Sequence, residues 1–167
     1  MADIYLIDTS LGAITVELDA QKAPLHAANF ATYAVAGFYD GLIFHRVIPE
    51  FMIQGGGLSA DMAQKPATGS RVKNESLNGL KNLRGTLAAA RLSDPDTATN
   101  QFFINLKDND FLDGNFATKK PGYSVFGRVT AGMDVVDKIA AVKTGTKGQY
   151  NDVPNVPVVI RSVKRAK

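Results

Sequence analysis

The stretch Phe44-His45-Arg46-Val47-Ile48-Pro49-Glu50-Phe51-Met52-Ile53-Gln54-Gly55-Gly56-Gly57 decides how this chain is read. Residues 43–48 and 51–54 are short, mostly apolar runs that read as strands. Pro49 interrupts them because it cannot donate to a ladder. The three glycines permit a close backbone approach or a sharp exit from the second strand. Strand alternation puts Phe44, Arg46 and Ile48 on one face, and His45 and Val47 on the other. An arginine among hydrophobic side chains is the unusual feature. On these residues alone the simpler reading makes Arg46 a surface arginine on a half-buried strand. Phe51, Met52 and Phe103 are then ordinary core.

Working outward, residues 4–8 and 13–18 are strand candidates joined by Thr9-Ser10-Leu11-Gly12. Ile14, Val16 and Leu18 alternate with Thr15 and Glu17, the period of a half-buried strand, so the pair reads as a hairpin. Pro24 suits the first turn of a helix. Ala27, Phe30, Ala31, Ala34 and Val35 then follow a core-facing stripe, with Gly37 as the stop signal. His26 falls on the polar side of that helix. Residues 58–82 form a long irregular excursion, the kind that is usually functional or mobile. Residues 86–91, 101–106 and 123–130 are further strands, and Asp94-Pro95-Asp96 is a turn. Residues 133–142 read as a second helix with Val135, Val136, Ile139 and Ala140 as its stripe. Residues 156–163 read as the last strand. Many short strands and two helices imply a mostly β barrel or sandwich with helices over its open ends. The length, 167 residues, fits one domain spanning 1–167.

Composition narrows the chemistry. There is no cysteine, which removes disulfides, thiolate nucleophiles and thiolate metal sites. The two histidines, His26 and His45, show no repeated spacing, so no metal site is expected. Gly-x-Ser-x-Gly is absent, against one common hydrolase arrangement. Gly55-Gly56-Gly57 matches neither a dinucleotide fingerprint nor a Walker loop. The net charge is only +3, with Lys and Arg spread along the chain, so no nucleic-acid partner is expected. No apolar stretch approaches the ~20 residues that span a bilayer, and the N-terminus lacks the pattern of a signal peptide. The expectation is a cytoplasmic protein with no membrane partner.

The quoted stretch closely resembles the signature of the cyclophilin family. So do Gly85-Thr86-Leu87-Ala88-Ala89-Ala90, Gln101-Phe102-Phe103-Ile104, Phe111-Leu112-Asp113-Gly114 and Val125-Phe126-Gly127-Arg128-Val129. They occur in the family's order, and the likeness runs from Ile4 to the last strand, with the compact bacterial members most similar. The resemblance implies a closed eight-stranded antiparallel β-barrel capped by two α-helices. It also implies cis-trans isomerisation of X-Pro peptide bonds, assisting protein folding, without a cofactor. The rival reading is a non-catalytic proline-peptide binding module or holding chaperone.

The resemblance also implies roles for residues. Arg46 matches the catalytic arginine, and Gln54 the glutamine that holds the substrate backbone. Phe51, Met52, Phe103 and Leu112 would line the proline pocket. Gln101 would bond the peptide backbone, and Ala90 and Arg91 would touch the residues before proline. Phe111 and Tyr123 would complete the substrate wall. Many eukaryotic relatives carry tryptophan where Phe111 stands, histidine where Tyr123 stands and asparagine where Arg91 stands. Weak cyclosporin binding and an altered preference around proline are therefore expected. The loop 115–122 also looks longer than theirs, and Lys119-Lys120 would bias substrate choice. Partners are expected to be proline-containing peptides and unfolded proteins, met by a monomer.

Overall fold

The opening hairpin sets the architecture in the computed structural model, which describes residues 3–166. Strands β1 (Asp3–Thr9) and β2 (Gly12–Leu18) pair antiparallel, with Tyr5 opposite Val16 and Ile7 opposite Ile14. All four side chains are buried, so the alternation seen in the sequence is the inward face of the sheet. Helix α1 (Pro24–Val35) begins on its proline and is followed by Gly37 at φ 71°, a backbone conformation suited to glycine.

The remaining strands are short. They are β3 (Arg46–Ile48), β4 (Met52–Gly55), β5 (Thr86–Ala89), β6 (Phe102–Asn105) and β7 (Val125–Ala131). Helix α2 (Met133–Ala140) follows, then β8 (Thr144–Lys147), β9 (Tyr150–Pro154) and β10 (Ile160–Arg165). Eight strands form one antiparallel sheet in the order β10-β1-β2-β7-β5-β6-β4-β3. No continuous ladder joins β3 to β10. Closure comes instead from the segment before β3: Phe44 N–H donates to Val158 O at 3.0 Å, and Ile160 N–H donates to Leu42 O at 2.7 Å.

The interior is aromatic. Phe30 of α1 lies 5.4 Å from Phe102, 5.5 Å from Tyr39, 5.6 Å from Phe126 and 5.9 Å from Tyr5, ring centre to ring centre. Such edge-on and tilted contacts add to plain burial. Val136 and Ile139 of α2 join the same core, and Val135 and Ala140 pack at its margin.

Four expectations change. Phe44 and Val47 are both fully buried in the barrel interior, so they do not lie on opposite faces. The regular strand starts only at Arg46, and the preceding residues bridge to the 158–160 segment, which breaks the alternation. His26 is buried, at 3% exposure, because Glu75 from the long 58–82 segment folds over it. Val35 is 77% exposed at the helix end, and Tyr33 takes a place on the buried face. The β8–β9 hairpin was not expected, and the last strand begins four residues later than residue 156.

Candidate active site

The pleat of β4 and β6 builds the site. Ile53, Phe102 and Ile104 point into the barrel, so Met52, Gln54 and Phe103 must point out of it. Register then fixes neighbours. Gln54 stands opposite Arg46 on β3 and opposite Phe103 on β6. Arg46 Nη1 lies 3.4 Å from Gln54 Oε1, and Gln54 Nε2 donates to Gln101 Oε1 at 3.0 Å. Gly57, just after β4, lets Gln101 of this polar row lie against the backbone, and Gly55 at the end of β4 permits close approach of the 43–44 segment. A Cβ on Gly57 would run into the Gln101 side chain, and one on Gly55 would meet the Ile43 carbonyl at 2.7 Å.

Outside the barrel, Met52, Ala88, Phe103, Leu112 and Val125 form a second apolar cluster, flanked by Phe51, Ala90 and Tyr123. A cavity of about 150 Å³ opens onto it. Its floor and walls are Phe51, Met52, Phe103, Leu112 and Tyr123. Its rim carries Arg46 and Gln54 on one strand pair, and Ala90 and Arg91 beyond β5. Phe103 and Tyr123 meet edge to face at 5.7 Å. Gln101 lies behind Gln54 and does not line the cavity. Phe111 also lies off the cavity; it is 70% exposed and stacks on Phe51 with ring centres 5.7 Å apart.

Arg91 is fixed against the wall. Its Cζ sits 4.6 Å from the Tyr123 ring centre. Its Nε donates to Gly122 O at 3.1 Å, and its Nη1 donates to Leu92 O at 2.9 Å and Ser93 O at 3.2 Å.

Behind Phe51 and Leu112 runs a buried amide network that the sequence reading missed. Asn109 Nδ2 donates to Phe51 O and to Asn105 Oδ1, each at 2.9 Å. Asn105 Nδ2 donates to Asn82 Oδ1 at 3.0 Å, and Asn82 donates from N and Nδ2 to Asp113 Oδ1. These residues bracket the short 3₁₀ turn Asp110–Leu112, so the network holds the Leu112 wall against β4. Spacing alone offers no signal for it, because its members come from three separate segments.

The two histidines have structural surroundings. His45 Nδ1 is buried without a partner, and burial reinforced by the neighbouring Arg46 charge lowers its pKa to about 4. His26 Nδ1 lies 2.7 Å from Glu75 Oε1; burial lowers its pKa despite that contact, leaving a neutral ring that donates to the carboxylate. Glu75 also accepts the backbone N–H groups of Leu25 and His26, serving as a distant cap for α1. Among the described residues no group of three or more His, Cys, Asp or Glu could hold a metal ion. Likewise no helix is long and apolar enough to cross a membrane. A wider groove of about 740 Å³ runs past Glu17, Lys81 and Arg128, but its rim holds a Glu17–Arg128 pair at 3.1 Å.

The family model described as cyclophilin type peptidyl-prolyl cis-trans isomerase matches residues 4–165. The chain belongs to the cyclophilin-type peptidyl-prolyl cis-trans isomerase family. It is 56% identical to peptidyl-prolyl cis-trans isomerase A of Dickeya dadantii, over 95% of this chain and 82% of that one. It is 53% identical to peptidyl-prolyl cis-trans isomerase B of Escherichia coli, over 93% and 94%. The solved cyclophilin-type isomerase of Cryptosporidium parvum superposes with a TM-score of 0.81 at 23% identity, covering 100% of this chain and 99% of that one. A second structure of that parasite protein was solved in the presence of the dipeptide Ala-Pro. The chain is therefore an isomerase of X-Pro peptide bonds.

Proposed function

We propose that Arg46 and Gln54 carry the isomerisation, with the proline ring seated on Phe51, Met52, Phe103 and Leu112. The observation that carries this reading is a guanidinium and an amide side by side on the rim of a small apolar cavity. The planar amide resists rotation by ~18–20 kcal/mol because its C–N bond has double-bond character. No bond breaks, so no nucleophile or metal is required. As the bond twists, the proline nitrogen becomes pyramidal and regains its lone pair. A guanidinium aimed at that nitrogen stabilises the twisted state and leaves both planar states unaided. Arginine suits this role because it stays charged and offers donors in a fixed plane. Gln54, braced by Gln101, holds the peptide backbone while the other side turns. Ala90, Arg91, Phe111 and Tyr123 meet the flanking residues.

The reading extends to a single-domain monomer that acts in the cytoplasm on unfolded or loop X-Pro segments and so assists folding. The span of the family match supports one domain. Weak cyclosporin binding follows from a phenylalanine at position 111.

Exchange NMR on a short Ala-Pro peptide tests the roles. Arg46→Ala is expected to cut turnover roughly a hundredfold or more, the scale for loss of a preorganised donor, with peptide affinity little changed. Equal losses in both would make Arg46 a binding residue only.

A further inference from the structure

We infer that the pocket selects X-Pro segments with a carboxylate side chain next to the proline, and that Arg91 is the residue that selects them. This rests on the isomerase site described above and adds a substrate class to it.

The charges around the cavity are one-sided. Arg46 and Arg91 both line it, and among the described residues no aspartate or glutamate does. Among the described residues the four ion pairs involve neither arginine. The acidic groups nearest to Arg91 in sequence, Asp94 and Asp96, do not line the cavity and accept backbone N–H groups elsewhere. Asp94 Oδ1 accepts the Asp96 N–H at 2.9 Å, and Asp96 Oδ1 accepts the Asn74 N–H at 2.8 Å. Asp113 is likewise taken up by Asn82. A cavity of one sign, walled by apolar side chains, concentrates the opposite charge.

Arg91 is also prepared for the task. Three carbonyl contacts and the Tyr123 face hold its guanidinium, so little side-chain entropy remains to be lost on binding. The carbonyls take Nε and Nη1. Nη2 has no acceptor among the described residues, which leaves donors for a carboxylate. Arg46 stands across the apolar floor from it, on the β3–β4 side. A peptide whose proline ring lies on that floor must pass one flank beside Ala90 and Arg91. A glutamate or aspartate there finds a fixed cation, whereas a lysine meets two like charges.

The test compares three peptides that differ only in the residue beside proline: Glu, Gln or Lys, placed before the proline in one set and after it in another. Exchange rates and dissociation constants come from the same NMR titrations at low salt. Wild-type protein is expected to favour Glu over Gln by about fivefold in at least one set, the upper range for a partly exposed pair, and to disfavour Lys. That preference should shrink at high salt. In Arg91→Gln the Glu-to-Gln ratio is expected to fall to about one, and Arg91→Lys should restore part of it. These are ratios, so a general loss of activity in a variant cancels. A wild-type ratio near one in both sets overturns the inference, as does a ratio unchanged in Arg91→Gln. Failure of the catalytic reading looks different: no peptide exchanges faster, while the dissociation constants still report the charge preference.

Discussion

Two apolar clusters lie back to back on the same strands, and they differ in almost every physical respect. The inner cluster is sealed, with Phe30, Phe44 and Phe102 essentially without solvent contact. The outer one is small, opens on a cavity of about 150 Å³, and has two arginines on its rim. Adjacent residues serve opposite purposes: Phe102 completes the core and Phe103 the pocket; Ile53 faces inward while Met52 and Gln54 face out. A sheet with period two can therefore hold a fold on one face and a site on the other. A slip of one residue in β4 or β6 would exchange them, so the register that stabilises the barrel also aims the site.

The sharpest way to break this division is to truncate the two neighbouring phenylalanines. Phe102→Ala is expected to cost about 3–5 kcal/mol of stability, since the sealed interior cannot refill the space. Whatever protein remains folded should keep much of its peptide affinity. Phe103→Ala should cost less, within about 0.5–3 kcal/mol, because the space it leaves opens onto the cavity, yet it should lose most peptide binding. Urea unfolding and peptide titration on both variants check this. Similar stability losses with similar binding losses would show that the two clusters are one.

The second test concerns two adjacent residues, His45 and Arg46. One is buried and held neutral, and the other carries its charge at the pocket mouth. With its folded pKa lowered to about 4 from the usual 6.5, His45 takes up a proton more readily in the unfolded chain. The stability linked to its neutral form is thus fully present above about pH 6.5. It drains as pH falls toward 4, by up to about 3 kcal/mol at 1.36 kcal/mol per unit. His26 pulls in the same direction. Carboxylates contribute to acid unfolding too, so the readout is a difference. His45→Phe should lose less stability than wild type between pH 7 and pH 4.5 in urea titrations. Parallel pH curves would mean that His45 is protonated without penalty.

The outer site was more legible in the sequence than the segments that brace it. Arg46, Phe51, Met52, Gln54 and Phe103 fall within two short stretches that carry the resemblance to the cyclophilin signature. Strand pattern alone left Arg46 as a surface arginine and the apolar residues as ordinary core, and the register of β3, β4 and β6 is what brings them to one cavity. Helix α1 was readable from Pro24 to its stop because the turn signals and the apolar stripe agree. His26 was misread because its partner, Glu75, lies 49 residues away, beyond the reach of local periodicity. Asn82, Asn105 and Asn109 were missed for a different reason: they look like ordinary polar residues until the fold buries them. Strands β8 and β9 escaped notice because Thr144–Lys147 and Tyr150–Pro154 are polar, largely unburied and carry no alternation.

Phe111 gives the smallest expected effect and marks the outer limit of the site. Its ring stacks on Phe51 at a 28° angle yet remains mostly in solvent, so it contributes little to the fold. A larger ring should be accepted there with a stability change within ~0.5 kcal/mol. Tryptophan differs in adding an indole N–H, a donor that a bound cyclic peptide's carbonyls can use. If cyclosporin affinity is limited by that missing donor, Phe111→Trp should raise it about three- to tenfold, the value of one net hydrogen bond. Turnover of a short X-Pro peptide should hardly change, because Phe111 does not line the cavity. Isothermal titration with cyclosporin beside the exchange assay reads both quantities. A rise in turnover matching the rise in affinity would place Phe111 inside the catalytic pocket, and the boundary between rim and pocket would have to be redrawn at Phe51.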